Sequence, residues 1–105
     1  MKLTGKCKED FEKWVENPLR EQVALRRRKE WFYTLTPSMK YGVFEDFFDS
    51  VKIDIDGIYD NEIYILDNMY QDGENHRTEA RIRAIEKANE IYNNYENRSK
   101  RFKNR

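Results

Sequence analysis

Apolar residues recur at helical spacing along most of this chain, and in one stretch they alternate. Cys7, Phe11, Trp14 and Val15 stand at i, i+4, i+7 and i+8, the stripe of an amphipathic helix that Thr4 can cap. Asn17-Pro18 ends that helix, and Pro18 can open a second one, about Pro18 to Leu35. Its Trp31 to Leu35 end could equally be extended, because aromatic residues favour strands. Thr36-Pro37 is a helix start, a hydroxyl cap followed by proline at the first helical position, and the pattern predicts helix to about Ser50. Met39, Val43, Phe47 and Val51 fall on one face at i+4 steps, widened by Phe44 and Phe48.

Then the period changes. Val51, Ile53 and Ile55 alternate with Lys52, Asp54 and Asp56, and Ile63 and Ile65 alternate with Glu62, Tyr64 and Leu66. With Gly57 and Tyr59-Asp60-Asn61 between them, these stretches predict a two-stranded antiparallel hairpin. Gln71-Asp72-Gly73-Glu74 reads as a loop. Asn75 can cap a long final helix, about His76 to Asn97, with Ala84, Ile85, Ala88, Ile91, Tyr92 and Tyr95 as its stripe. The expected class is α+β: three N-terminal helices, a hairpin and a C-terminal helix in a single domain over 1–97, with 98–105 as a basic flexible tail.

Composition changes this picture in one respect. A mean hydropathy of −1.07 in a 105-residue chain with 38% charged residues resembles a disordered sequence. Two Trp, seven Tyr and six Phe argue for a packed core, since each aromatic can bury about 150–250 Å². One cysteine, no apolar leader-like segment and no long apolar run point to a cytoplasmic protein.

The formal net charge of zero conceals three blocks. Residues 1–44 carry a net +4, residues 45–74 a net −9, and residues 75–105 a net +5. Such segregation sustains local fields that fit a partner rather than a reaction.

Candidate chemistry is sparse. His76 and Cys7 are the only pair resembling a nucleophile and its base, and no motif accompanies them, so no catalytic residue and no enzyme activity are expected. The four glycines are scattered, with no phosphate-binding loop. Asp54-Ile55-Asp56-Gly57 has the look of a calcium loop. In that alignment Lys52 and Ile63 occupy positions one and twelve, where carboxylates are required, so neither a metal site nor a cofactor is expected.

The acidic block is the better candidate. Glu45, Asp46 and Asp49 lie away from the apolar face of the third helix, and Asp54, Asp56, Asp60 and Glu62 lie on the outer face and tip of the expected hairpin. Tyr41, Tyr59 and Tyr64 would supply aromatic anchors among them. The plain reading is a solvated edge that blocks aggregation. The functional reading is a surface that meets a basic protein groove. The alternative is direct nucleic-acid binding by Arg26, Arg27, Arg28 and Lys29 with Arg98, Lys100, Arg101 and Lys103 of the tail. A near-neutral domain lacks the overall basic footprint of such binders.

Three stretches resemble short bacteriophage and prophage proteins of unknown activity. They are Met1-Lys2-Leu3-Thr4-Gly5-Lys6 with Asp10-Phe11-Glu12-Lys13-Trp14; Ser38 to Val43 with Asp46 to Val51; and Glu79-Ala80-Arg81 leading to Ala84-Ile85-Glu86-Lys87-Ala88-Asn89. The resemblance carries no functional residues. It implies a context in which small charged proteins occupy and inhibit host proteins, RNA-guided defence nucleases included, in the manner of an anti-CRISPR protein. The expected partner is therefore a basic host protein that handles nucleic acid.

Overall fold

The computed structural model describes residues 2–16, 28–70 and 76–103, with 28, 29 and 96–103 described by their backbone alone. It contains α1 (Gly5–Val15), α2 (Arg28–Tyr33), α3 (Pro37–Ser50), α4 (Ile55–Tyr70) and α5 (Arg77–Lys103). No strand occurs among the described residues, so the α+β expectation is overturned and the class is all-α. The Asn17-Pro18 break, Arg26, Arg27, the 71–74 loop and the Asn75 cap lie outside the described residues. The backbone of 98–103 continues α5.

The alternating stretch that resembled a strand is two helix caps in succession. Helix α3 closes with Lys52 N–H donating to the Asp49 carbonyl at 3.1 Å and Ile53 N–H to the Phe48 carbonyl at 2.9 Å. These are the two reverse bonds of a Schellman motif, with Lys52 at the left-handed position (φ 66°) and Ile53 turned into the core as its hydrophobic partner. Asp54 then caps α4, its Oδ1 accepting from the Gly57 N–H at 3.1 Å. Caps also place apolar and polar residues in turn, which is why the period of two misled.

The second expected strand is helical for a different reason. Ile55, Glu62 and Leu66 are buried, with Ile58 and Tyr59 half-buried between them, which is a helical stripe with a carboxylate in one apolar slot. Lysine in the left-handed conformation is strained, and a left-handed residue with a Cβ costs about 1–2 kcal/mol. Lys52→Gly should therefore raise stability by about 0.5–1 kcal/mol once glycine's greater unfolded-state freedom is counted. A thermal melt should show Tm higher by several degrees.

Helix α5 is 27 residues long, about 40 Å at 1.5 Å per residue, close to the 45 Å longest dimension of the molecule. Ala80, Ala84 and Ala88, at i+4 steps, are fully buried, and α4 packs on α5 more extensively than any other pair of helices. Helix α1 docks on the same helix through its amino end. The Thr4 hydroxyl makes no capping bond; instead Asn93 of α5 accepts from the Cys7 N–H at 2.8 Å and donates to the Thr4 carbonyl at 3.0 Å. Asn89 brackets Thr4 in the same way, accepting from its N–H and donating to its hydroxyl. Gly5 (φ 59°) permits this approach, since a Cβ there would lie 3.3 Å from the Asn93 amide.

The core is aromatic. Phe11 of α1 meets Phe32 of α2 and Phe44 and Phe47 of α3 at ring separations of 4.9, 5.0 and 5.4 Å. The buried face of α3 is Tyr41, Phe44, Phe47 and Phe48, whereas Met39, expected in the stripe, is 57% exposed. The helix is thus rotated from the phase expected, and Tyr41 takes the place given to Met39.

A candidate acidic docking face on α3 and α4

The hairpin face becomes a two-helix face. On α4, Asp56, Asp60, Tyr64 and Asp67 project within about 80° of one another at 100° per residue, and all four are exposed. Tyr64, 70% exposed, is the aromatic residue standing out among the acids. Helix α3 adds exposed Asp46 and Asp49, and half-buried Glu45 of α3 lies close enough to Asp56 of α4 to feel its charge. Within the described residues, none of Asp46, Asp49, Asp56, Asp60 and Asp67 meets a cation in an ion pair.

Burial, and then repulsion from Asp56, Asp49 and Asp46, pushes the Glu45 carboxyl above its ordinary range. A group whose folded pKa is raised favours the fold only while protonated, and the advantage is lost as pH rises through the folded value. At neutral pH the ionised Glu45 therefore works against the fold.

Three residues expected on this surface lie elsewhere. Glu62 is 1% exposed, in the α4–α5 interface, with its carboxylate 2.7 Å from Lys87 Nζ and 3.7 Å from Arg83 Nη1. Its helical phase points inward, and a hairpin register had put it outside. Tyr41 is buried beneath the acids, with the Arg81 guanidinium 5.4 Å from its ring and no partner for its hydroxyl. Tyr59 is half-buried, its ring 6.2 Å from that of Tyr41. Asp54 is exposed but engaged as the α4 cap. Glu45 is thus brought close to Asp46, Asp49 and Asp56, and Asp56 shares one face of α4 with Asp60, Tyr64 and Asp67.

Of the alternative basic set, Arg28 and Lys29 begin α2, while Arg98, Lys100, Arg101 and Lys103 lie on the last turns of α5. Arg26 and Arg27 are outside the described residues.

The nucleophile pair does not form. Cys7 lies against Asn93, 17 residues along α5 from His76, about 25 Å at helical rise. Burial, with a smaller contribution from Asp10, pushes its thiol up to about 12, so it is no nucleophile near neutrality. The calcium-loop reading fails on geometry, because Gly57 is the third residue of a helix; no group of three or more metal-ligating side chains gathers among the described residues. Among the same residues no helix is long and apolar enough to cross a membrane. Comparison with protein-family models, with curated proteins and with solved structures finds no match.

Proposed function

We propose that this chain is a non-catalytic binding protein that docks its α3–α4 acidic face onto a basic surface of a protein partner. The observation that carries the proposal is that Asp56, Asp60 and Asp67 share one exposed face of α4 with Tyr64, that Asp46 and Asp49 stand exposed on α3, and that none of these five acids meets a cation in an ion pair among the described residues. Unpaired carboxylates steer and orient a basic partner, and an exposed tyrosine beside them gives the contact an apolar anchor. The strain on Glu45 supports the same reading, because a surface kept only for solubility has no need to crowd carboxyls at a cost to the fold. Basic grooves of this kind belong to proteins that handle nucleic acid. The phage-like context of the sequence makes a host defence nuclease the target to test, with occlusion of its nucleic-acid path as the inhibitory step.

Replacing Asp46, Asp49, Asp56 and Asp60 with Asn tests this directly, leaving the Asp54 cap untouched. In nuclease-treated host extract the parent protein should capture a basic partner in stoichiometric amount, with affinity falling steeply as salt rises. The fourfold variant should lose that partner while melting no lower than the parent, and Glu45→Gln alone should melt higher at pH 7. Retention of the same partner at the same affinity by the fourfold variant sinks the proposal.

A further inference from the structure

A second feature lies apart from the acidic face, where the amino-terminal segment, α1, α2 and α3 meet. A cavity of about 230 Å³ opens there, with Lys2, Lys8 and Lys40 at its walls and Phe11, Phe32 and Tyr33 in its lining. Among the described residues no carboxylate lines it. Within the described residues none of the three lysines has an acidic partner, although Lys6, on the same helix as Lys8, is paired with Asp10 at 3.2 Å. Lys40 is held over the rings, its ammonium 5.8 Å from the Phe32 centroid and 5.9 Å from that of Tyr33. Three cations drawn from three segments, around a hydrocarbon floor and without a counter-charge among the described residues, make a receptor for an anion that has an apolar body.

We infer that this cavity binds a nucleoside phosphate, with the phosphate between Lys2, Lys8 and Lys40 and the base against the Tyr33 and Phe32 side of the lining. The size selects the ligand. Cavities for drug-sized molecules run from about 300 Å³ upward, so this one takes one planar base with its phosphate and leaves the remainder in solvent. Inorganic phosphate satisfies the lysines and leaves the rings wet. A lipid chain covers the rings and outgrows the space. A planar base joined to a phosphate uses both halves, by the combination of stacking and charge with which proteins hold single-stranded nucleic acid.

The nucleotide can be free or the phosphorylated end of a strand. This inference stands apart from the acidic docking face: it uses none of its residues, and either can fail alone.

Titration of the ¹⁵N-labelled protein with AMP, with inorganic phosphate and with a 5′-phosphorylated hexanucleotide, followed by amide shifts, is the test. The expected result is saturable shifts at Lys8, Phe32, Tyr33 and Lys40 with AMP or the hexanucleotide, and at least fivefold weaker response to inorganic phosphate. Binding by AMP identifies a free-nucleotide site, and binding by the hexanucleotide alone identifies a strand-end site. In the second case three lysine contacts give a slope of log affinity against log salt of about −2.

Two variants keep the test sharp. K2Q/K8Q/K40Q, altered at side chains that leave the core intact, should weaken binding at least tenfold. Tyr33→Ala should weaken it about fivefold or more, the low end of what loss of one stacking ring does, while Tyr33→Phe keeps it. Circular dichroism confirms that each variant is folded. Absence of binding at millimolar nucleotide, equal response to inorganic phosphate, or unchanged affinity in K2Q/K8Q/K40Q overturns the inference.

Discussion

Removing both cations from Glu62, as Arg83→Met with Lys87→Met, should lower stability by about 3–5 kcal/mol, the usual consequence of stranding a buried charge. Methionine keeps most of each apolar stem, so the loss reports charge more than packing. Glu62 is the buried charged residue among those described. Its Oε1 has no aligned hydrogen-bond donor, so the Lys87 ammonium 2.7 Å away satisfies it as a charge. Arg83 is the second cation, divided between Glu62 at 3.7 Å and Glu79 at 3.1 Å.

The pair is asymmetric, and the asymmetry makes the prediction specific. Lys87 is half-exposed, so it returns to water if Glu62 is replaced, whereas Glu62 cannot follow its cations out. Glu62→Met should accordingly be neutral or stabilising, since a well-packed apolar side chain often matches or exceeds a buried ion pair. Urea titrations check both changes at once: the midpoint falls for the double variant and holds or rises for Glu62→Met, with similar slopes. A domain of this size has only about 5–15 kcal/mol in total, so the double variant approaches the limit of folding.

Glu62 is also where sequence reasoning about the fold went astray. Helical phase places it in the apolar stripe with Ile55 and Leu66, where a carboxylate breaks the helical pattern and leaves the alternation of Ile63 and Ile65 as the stronger signal. Its cations, Arg83 and Lys87, sit at i and i+4 on a distant helix, and nothing local announces a pairing across 20 or more residues. The Lys52–Asp54 segment misled in another way. A Schellman motif is easily seen when glycine fills its left-handed position, and here lysine does.

Where local chemistry was conventional, the elements were legible. Thr36-Pro37 predicted the start of α3, and the Thr36 hydroxyl does accept from the Met39 N–H, at 3.3 Å. Cys7, Phe11 and Val15 are buried as their spacing required, as are Ala84, Ile85, Ala88 and Tyr92. The acidic block was legible as composition, because charge counts do not depend on fold. Which acids share a face was not, because that depends on whether 55–70 turns by 100° or by 180° per residue. Asp56, Asp60, Tyr64 and Asp67 come together only in the helix.

The rotation of α3 supplies the second large effect. Phe47→Ala should cost about 3–5 kcal/mol, while Met39→Ala should stay within about 0.5 kcal/mol of the parent. The apolar stripe read from the sequence placed both residues in the core, so that reading expects two large losses, whereas the helical bundle expects one. Phe47 is 2% exposed and its ring meets Phe11, Trp14, Phe48 and Tyr92 at 5.4, 5.5, 5.2 and 5.9 Å. Those partners come from α1, α3 and α5, so one truncation opens a void at the junction of three helices and removes four ring contacts, each worth about 0.5–1.5 kcal/mol beyond area burial. Met39, in the first turn of α3, spends most of its surface in water. Phe47→Leu separates the two parts of the loss: it refills much of the void without restoring the ring contacts, so its stability should fall between parent and Phe47→Ala. Chemical denaturation of the four proteins decides the matter. Equal losses at Met39 and Phe47 would return α3 to the phase read from the sequence and move Tyr41 out of the core and into the acidic face.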